Sequence, residues 1–178
     1  MISFRVRAAL AALCALALSG CIDSSGPILT DSQPALGPRL NLQLYALREG
    51  HAFDPEQARF AWDGKLYAPS GSGMNDVSGF TVHPFEGGDY IIQSTPVRHP
   101  QIAEYAVMHQ LAEGVYQVIA IDEDDADAAT RAANCKHPGG AACRIETREQ
   151  LFTFARATAA KRKTGGGLAI RLEDAERP

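Results

Sequence analysis

The sequence predicts an α+β, β-rich domain: an antiparallel β-meander built from hairpin repeats, with a C-terminal helix and a final strand. Three observations predict it. "RLNLQLYAL" (39–47) alternates Leu40, Leu42 and Leu44 with other residues, the period of a half-buried strand. "TVHPFEGGDYII" (81–92) and "VMHQLAEGVYQV" (107–118) repeat one strand–turn–strand pattern. "ETREQLFTFARATAAKRK" (146–163) changes to helical spacing and is followed by "TGGG", expected to stop the helix, and the strand-like "LAIRL".

The elements follow in order from residue 39. After the first strand, Asp54 before Pro55 has the form of a cap and first-turn proline, predicting a short helical turn over 55–59. Asp63-Gly64 sits between two strand-like runs, and both residue types tolerate positive φ, so a two-residue hairpin is predicted. In the repeat, His83 matches His109, Phe85 matches Leu111, Gly88 matches Gly114 and Tyr90 matches Tyr116. Two such units in tandem make a four-stranded meander, with Pro96 and Pro100 in the connection.

Past residue 120 the acidic and then alanine-rich "DEDDADAATRAAN" predicts a short helix whose early carboxylates favour the positive end of its dipole. Cys135 and Cys143 then flank Pro138-Gly139-Gly140, and their C-x7-C spacing matches neither a zinc pair nor a redox C-x-x-C. A disulfide closing a small loop is the expectation. Thr147 and Gln150 have capping-box spacing for the last helix. Leu151, Phe154, Ala155 and Ala159 share one of its faces with Thr158, and Lys161, Arg162 and Lys163 crowd its last turn.

The first residues carry Arg5 and Arg7, then eleven apolar residues from Ala8 to Leu18. That is a secretory signal, too short to span a bilayer. The following Leu18-Ser19-Gly20-Cys21 resembles the lipobox of bacterial lipoproteins. The resemblance implies cleavage before Cys21 and acylation of its thiol, and Ile22 in place of Asp at the next position implies the outer membrane, facing the periplasm. Residues 1–20 are then the signal peptide, 21–38 the lipidated cysteine and a flexible tether, and 39–178 one globular domain. The stretch 22–38 is rich in Ser, Asp, Gly and Pro, and extended it would reach about 55 Å. The mature part loosely resembles small uncharacterised lipoproteins of proteobacteria, which implies no activity. "SGSG" (70–73) is similar to a loop of membrane-bound lysozyme inhibitors, whose Lys-Gly motif on a later strand has no counterpart here.

Without Arg5 and Arg7 the chain has 15 basic and 21 acidic residues, an excess of six negative charges that disfavours nucleic acid as a partner. No Walker A, G-x-G-x-x-G or G-x-S-x-G element appears. The acidic run 122–127 fails the EF-hand spacing, since Ala126 and Ala133 fall where ligands belong. His83 and His109 would have a strand between them and no third ligand, so no metal or cofactor is expected. The expectation is a non-enzymatic, lipid-anchored envelope protein that binds an envelope protein or a peptidoglycan-associated partner. His83, Tyr90, His109 and Tyr116 are its candidate binding surface. The alternatives are a small-ligand binder or lysozyme-inhibitor-like protein, with the tyrosines lining a pocket, and a hydrolase with an unrecognised site.

Overall fold

The computed structural model describes residues 22–48, 51–52, 56–70, 78–97, 99–136, 143–161 and 166–173. Its centre is a closed antiparallel barrel of eight strands. They are β2 (Arg39–Arg48), β4 (Glu56–Trp62), β5 (Tyr67–Pro69), β6 (Phe80–Pro84), β7 (Tyr90–Ser94), β8 (Ala103–Ala112), β9 (Val115–Ala120) and β10 (Gly166–Glu173). Each pairs with its neighbour in the chain, and β10 closes the ring by pairing with both β9 and β2. Two short strands lie outside the ring: β1 (Asp23–Ser24) on β8 and β3 (His51–Ala52) on β2. Between β9 and β10 come α1 (Ala128–Asn134) and α2 (Arg148–Lys161).

The period-2 pattern decides what fills the barrel. Leu40, Leu42 and Leu44 of β2 are buried inside it with Ala58, Phe60, Tyr67, Val82, Met108, Tyr116, Val118, Leu168 and Ile170. Aromatic rings meet at favourable angles, Phe60 on Phe80 at 4.9 Å and Trp62 on Tyr67 at 5.2 Å between centroids. Polar residues such as Gln57 and Arg59 alternate with these and face outward. This is the reverse of a membrane-spanning barrel, whose apolar band faces outward. Residues 85–89 and 113–114, the tips of the β6–β7 and β8–β9 hairpins, share one barrel end. The β7–β8 connection (95–102) and the exit from β9 lie at the other.

A second core covers the outer face of β7 and β8. Ile91, Ala103, Tyr105 and Val107 are buried there with Leu151, Phe154 and Ala155 of α2. The capping box of α2 forms as its spacing predicts: Gln150 N donates to Thr147 Oγ1 at 3.2 Å, and Gln150 Oε1 accepts from Thr147 N at 3.1 Å. Thr158, the polar member of its buried face, donates to Asp125 Oδ2 at 3.0 Å. In α1 the acidic run works as a cap, Asp127 Oδ1 accepting from Thr130 N at 2.7 Å.

Three local expectations are corrected. The segment 56–59 is strand, not a helical turn, because Ala58 and Phe60 alternate into the barrel and β4 pairs along β2 from Leu44↔Glu56 to Arg39↔Ala61. The Asp63-Gly64 hairpin exists, but its loop is four residues. Asp63 Oδ1 accepts from Lys65 N and Leu66 N, at 2.8 and 2.9 Å, and Gly64 takes φ of 100°. Gly166 and Gly167 are not a helix stop but the start of β10, opposite Arg48 and Leu47.

The largest correction concerns residues 22–38, which are no flexible tether. Ile22 is 0% exposed in the second core, and Leu29 joins it there. Ile22 N donates to Ile121 O at 3.2 Å and Asp23 N to Cys143 O at 3.0 Å. Gln93 on β7 clasps the segment with a buried amide. Its Oε1 accepts from Ile28 N and Leu29 N and its Nε2 donates to Leu29 O, each at 2.9 Å. Ser24 Oγ and Tyr105 Oη are 2.6 Å apart. Farther on, the Tyr67 hydroxyl accepts from Leu36 N at 3.1 Å and donates to Gly37 O at 2.9 Å. A Ser-, Gly- and Pro-rich composition therefore describes a strap fastened along the barrel, with backbone groups of residues 28, 29, 36 and 37 held by the buried side chains of Gln93, Tyr105 and Tyr67.

Candidate functional site

The two hairpins of the repeat build a cleft between their tips. In the first, Gly87 and Gly88 take φ of 68° and 87°, which only glycine adopts without strain, and Phe85 N donates to Asp89 O at 2.8 Å. A bidentate pair fastens this turn to α2: Arg156 Nε lies 3.0 Å from both Glu86 carboxylate oxygens and Nη2 lies 2.6 Å from Oε1. The guanidinium holds the Glu86 carboxyl below its ordinary range. In the second hairpin, the ladder slips between Gln110 and Ala112. Such a bulge re-aims side chains. Leu111 lies at the slip and is 55% exposed, although its repeat counterpart Phe85 packs against Phe152 of α2 at 5.2 Å.

The cleft has a volume of about 330 Å³ and is lined by residues 87–89 and 109–113. On its wall, Asp89 Oδ1 and His109 Nδ1 are 2.5 Å apart. Asp89 is 7% exposed and His109 more open, so a buried carboxylate orients a partly exposed imidazole on the cleft wall. An imidazole so held can donate or accept a hydrogen bond, or take a proton from a bound water. The described lining offers it no hydroxyl or thiol nucleophile.

The four residues proposed as one surface fall on two. Tyr90 and Tyr116 point into the barrel, with ring centroids 6.3 Å apart. Burial raises the Tyr116 hydroxyl above its ordinary pKa. His83 and His109 are on the outer side, on strands separated by β7. His83 is buried and its Nε2 is 2.8 Å from Thr81 Oγ1. Burial holds this imidazole below the usual histidine range, against the opposing pull of the Asp31 carbonyl. Of the four, only His109 reaches the cleft. Asp89 and Leu111 were missed by sequence reasoning. Asp89 follows the glycine pair as any turn aspartate might, and a bulge leaves no period to read.

Cys135 and Cys143 are joined, with Cα atoms 5.2 Å apart. Glu123 lies beside them, its Oε2 3.8 Å from Cys135 Sγ. The three could group around a metal ion only with free thiolates, and the disulfide uses both sulfurs. Cys21 and the "SGSG" stretch beyond Ser70 lie outside the described residues. No protein family, curated protein or solved structure matches this chain.

Proposed function

We propose that the chain is a lipid-anchored cell-envelope protein, held by Cys21, that binds a neighbouring envelope protein through the cleft between its hairpin tips. The observation that carries the binding site is Leu111, exposed at the bulge beside the Asp89–His109 pair. A lone apolar side chain next to an oriented polar group suits the centre of a small protein contact, where an apolar anchor gives affinity and the polar group gives register. The anchor is supported by the lipobox residues 18–21.

The test is a pull-down from envelope extracts with the lipidated protein and with Leu111→Asp and His109→Ala variants. One partner captured by the wild type and lost with either variant supports the reading. Capture unchanged by both variants refutes it. The Asp89–His109 geometry favours a second reading, a hydrolase in which His109 activates water. Turnover abolished by His109→Ala in repurified protein would establish that reading instead.

A further inference from the structure

Three side chains of metal-ligand type, from separate parts of the chain, meet at the C-terminal end of α1. Glu123 begins a single 3-10 turn (Glu123–Asp125), Cys135 caps α1, and Cys143 lies on the segment that pairs with Asp23. One Glu123 oxygen and the two sulfurs all lie within 4.8 Å of one another. Cys143 is fully buried and the other two are half-buried. Sequence spacing hides the group, because its third member stands across α1 from the cysteine pair, 12 residues ahead of Cys135.

The contact between Glu123 and the disulfide is chemically incomplete. Glu123 Oε2 lies 3.8 Å from Cys135 Sγ, and a disulfide sulfur carries no hydrogen to donate. Arg131 gives its guanidinium to the Ala126 carbonyl at 2.9 Å and to Asp124 at 3.5 Å. Among the described residues the Glu123 carboxylate has no N–H or O–H donor and no ion pair. The cysteines, in contrast, are held by more than their own bond. Cys135 N donates to Arg131 O at 2.9 Å, Lys136 N to Arg144 O at 3.0 Å, and Cys143 O accepts from Asp23 N at 3.0 Å. Opening the S–S bond therefore leaves both sulfurs facing each other and the carboxylate. Two thiolates bound to tetrahedral zinc at about 2.3 Å stand about 3.8 Å apart. Side-chain rotation reaches that separation from Cα atoms 5.2 Å apart.

We infer that the reduced protein carries a zinc site made by Glu123, Cys135 and Cys143, which the disulfide closes. A dithiol reductant attacks the more accessible sulfur, Cys135 Sγ, and the S–S electron pair leaves on Cys143. The reductant's second thiol then displaces Cys135. The cysteine pair has gained two electrons and two protons, and the reductant ends as a disulfide. Zn2+ releases both thiol protons to solvent, takes the carboxylate as third ligand and keeps a fourth position for water. Two thiolates favour zinc over magnesium and calcium, which take oxygen ligands. Because the Cys143 carbonyl also holds Asp23, the metal ties α1 to the strap as the disulfide does.

The test uses the full protein as purified from cells, reduced with a dithiol resin that is removed under argon, with Co2+ as the probe. The expected result is one cobalt per chain, a thiolate-to-cobalt charge-transfer band in the near ultraviolet and the strong visible bands of a tetrahedral site, all bleached by added Zn2+. The oxidised protein and the double variant Cys135→Ser with Cys143→Ser should show none of these bands. Glu123→Gln should bind cobalt at least about tenfold more weakly, since even outer-shell partners of a metal are worth that much. Absence of the bands from reduced protein with unchanged circular dichroism overturns the inference. So do bands that persist in the double variant, which would belong to another thiol, and a Glu123→Gln affinity equal to wild type. Loss of the barrel's circular dichroism on reduction overturns it as well, because the backbone bonds would then not hold the sulfurs in place.

Discussion

Replacing Ile22 by Ala separates a structural strap from a tether more sharply than any other single change. Ile22 is fully buried in a cluster with Ile121, Cys143, Ile145, Leu151 and Phe154. Truncating a buried isoleucine to alanine removes its transfer free energy and leaves a cavity, together about 2–5 kcal/mol. With a domain of this size losing about 2–4 °C per kcal/mol, a loss of about 3 kcal/mol lowers the melting temperature by about 6–12 °C. The assay is thermal and urea unfolding of the mature chain carrying Cys21→Ser, with Val97→Ala as the exposed control, expected to change stability by under about 0.5 kcal/mol. The midpoint should fall while the denaturant slope stays the same. An Ile22→Ala effect no larger than that of the control would refute the reasoning and restore the tether.

Other expectations follow from the same contacts. Gln93→Leu removes the clasp and with it the partners of the buried Leu29 N–H and C=O, while Ile28 N keeps the Tyr105 hydroxyl at 3.3 Å, at a cost of about 2–3 kcal/mol; faster amide exchange at Leu29 would locate the loss, and unchanged exchange there would contradict it. Cys135→Ser with Cys143→Ser opens a nine-residue loop and should cost about 2.5 kcal/mol in denaturant unfolding; a neutral result would mean that the loop is held by other contacts. His83 gives a pH dependence. Its folded pKa is lowered by burial, so the unfolded chain takes up the proton first as pH falls below about 6.5, and stability drops there. His83→Gln should flatten that slope. Glu104 acts in the opposite sense, since burial and the nearby Asp23 raise its pKa, and the comparison must therefore be made between variant and wild type at each pH.

The parts of the fold carried by local signals were legible in the sequence. The tandem repeat became β6–β7 and β8–β9, the capping box began α2, and the alternating leucines of β2 entered the core. Closure into a barrel was not legible, because it depends on pairs such as Leu44↔Ile170 that no local pattern announces. The strap was misread for a related reason. Its composition is that of a loop, and what fastens it lies far along the chain, in Gln93, Tyr105 and the disulfide segment. Ile22, Ile28 and Leu29 were the only local hint, too sparse to set a period.

The candidate site was half legible. His109 and the glycine turns stood out in the repeat, but the same repeat grouped His109 with two tyrosines on the opposite face of the sheet. One residue separates His83 from Pro84 and Tyr90 from Ile91 in facing, and alternation along β6 and β7 would have parted them. The Asp89–His109 contact joins neighbouring hairpins, so it belongs to strand pairing between repeats and not to either unit alone.

The most direct test of the central claim is crosslinking in living cells with a photoreactive amino acid at position 111 of the lipidated protein, and at position 65 as control. Lys65 sits in the β4–β5 turn, outside the cleft lining. The account predicts one dominant protein adduct from position 111 that is lost with His109→Ala and absent from position 65. The same pattern of adducts from both positions, unchanged by His109→Ala, would contradict it.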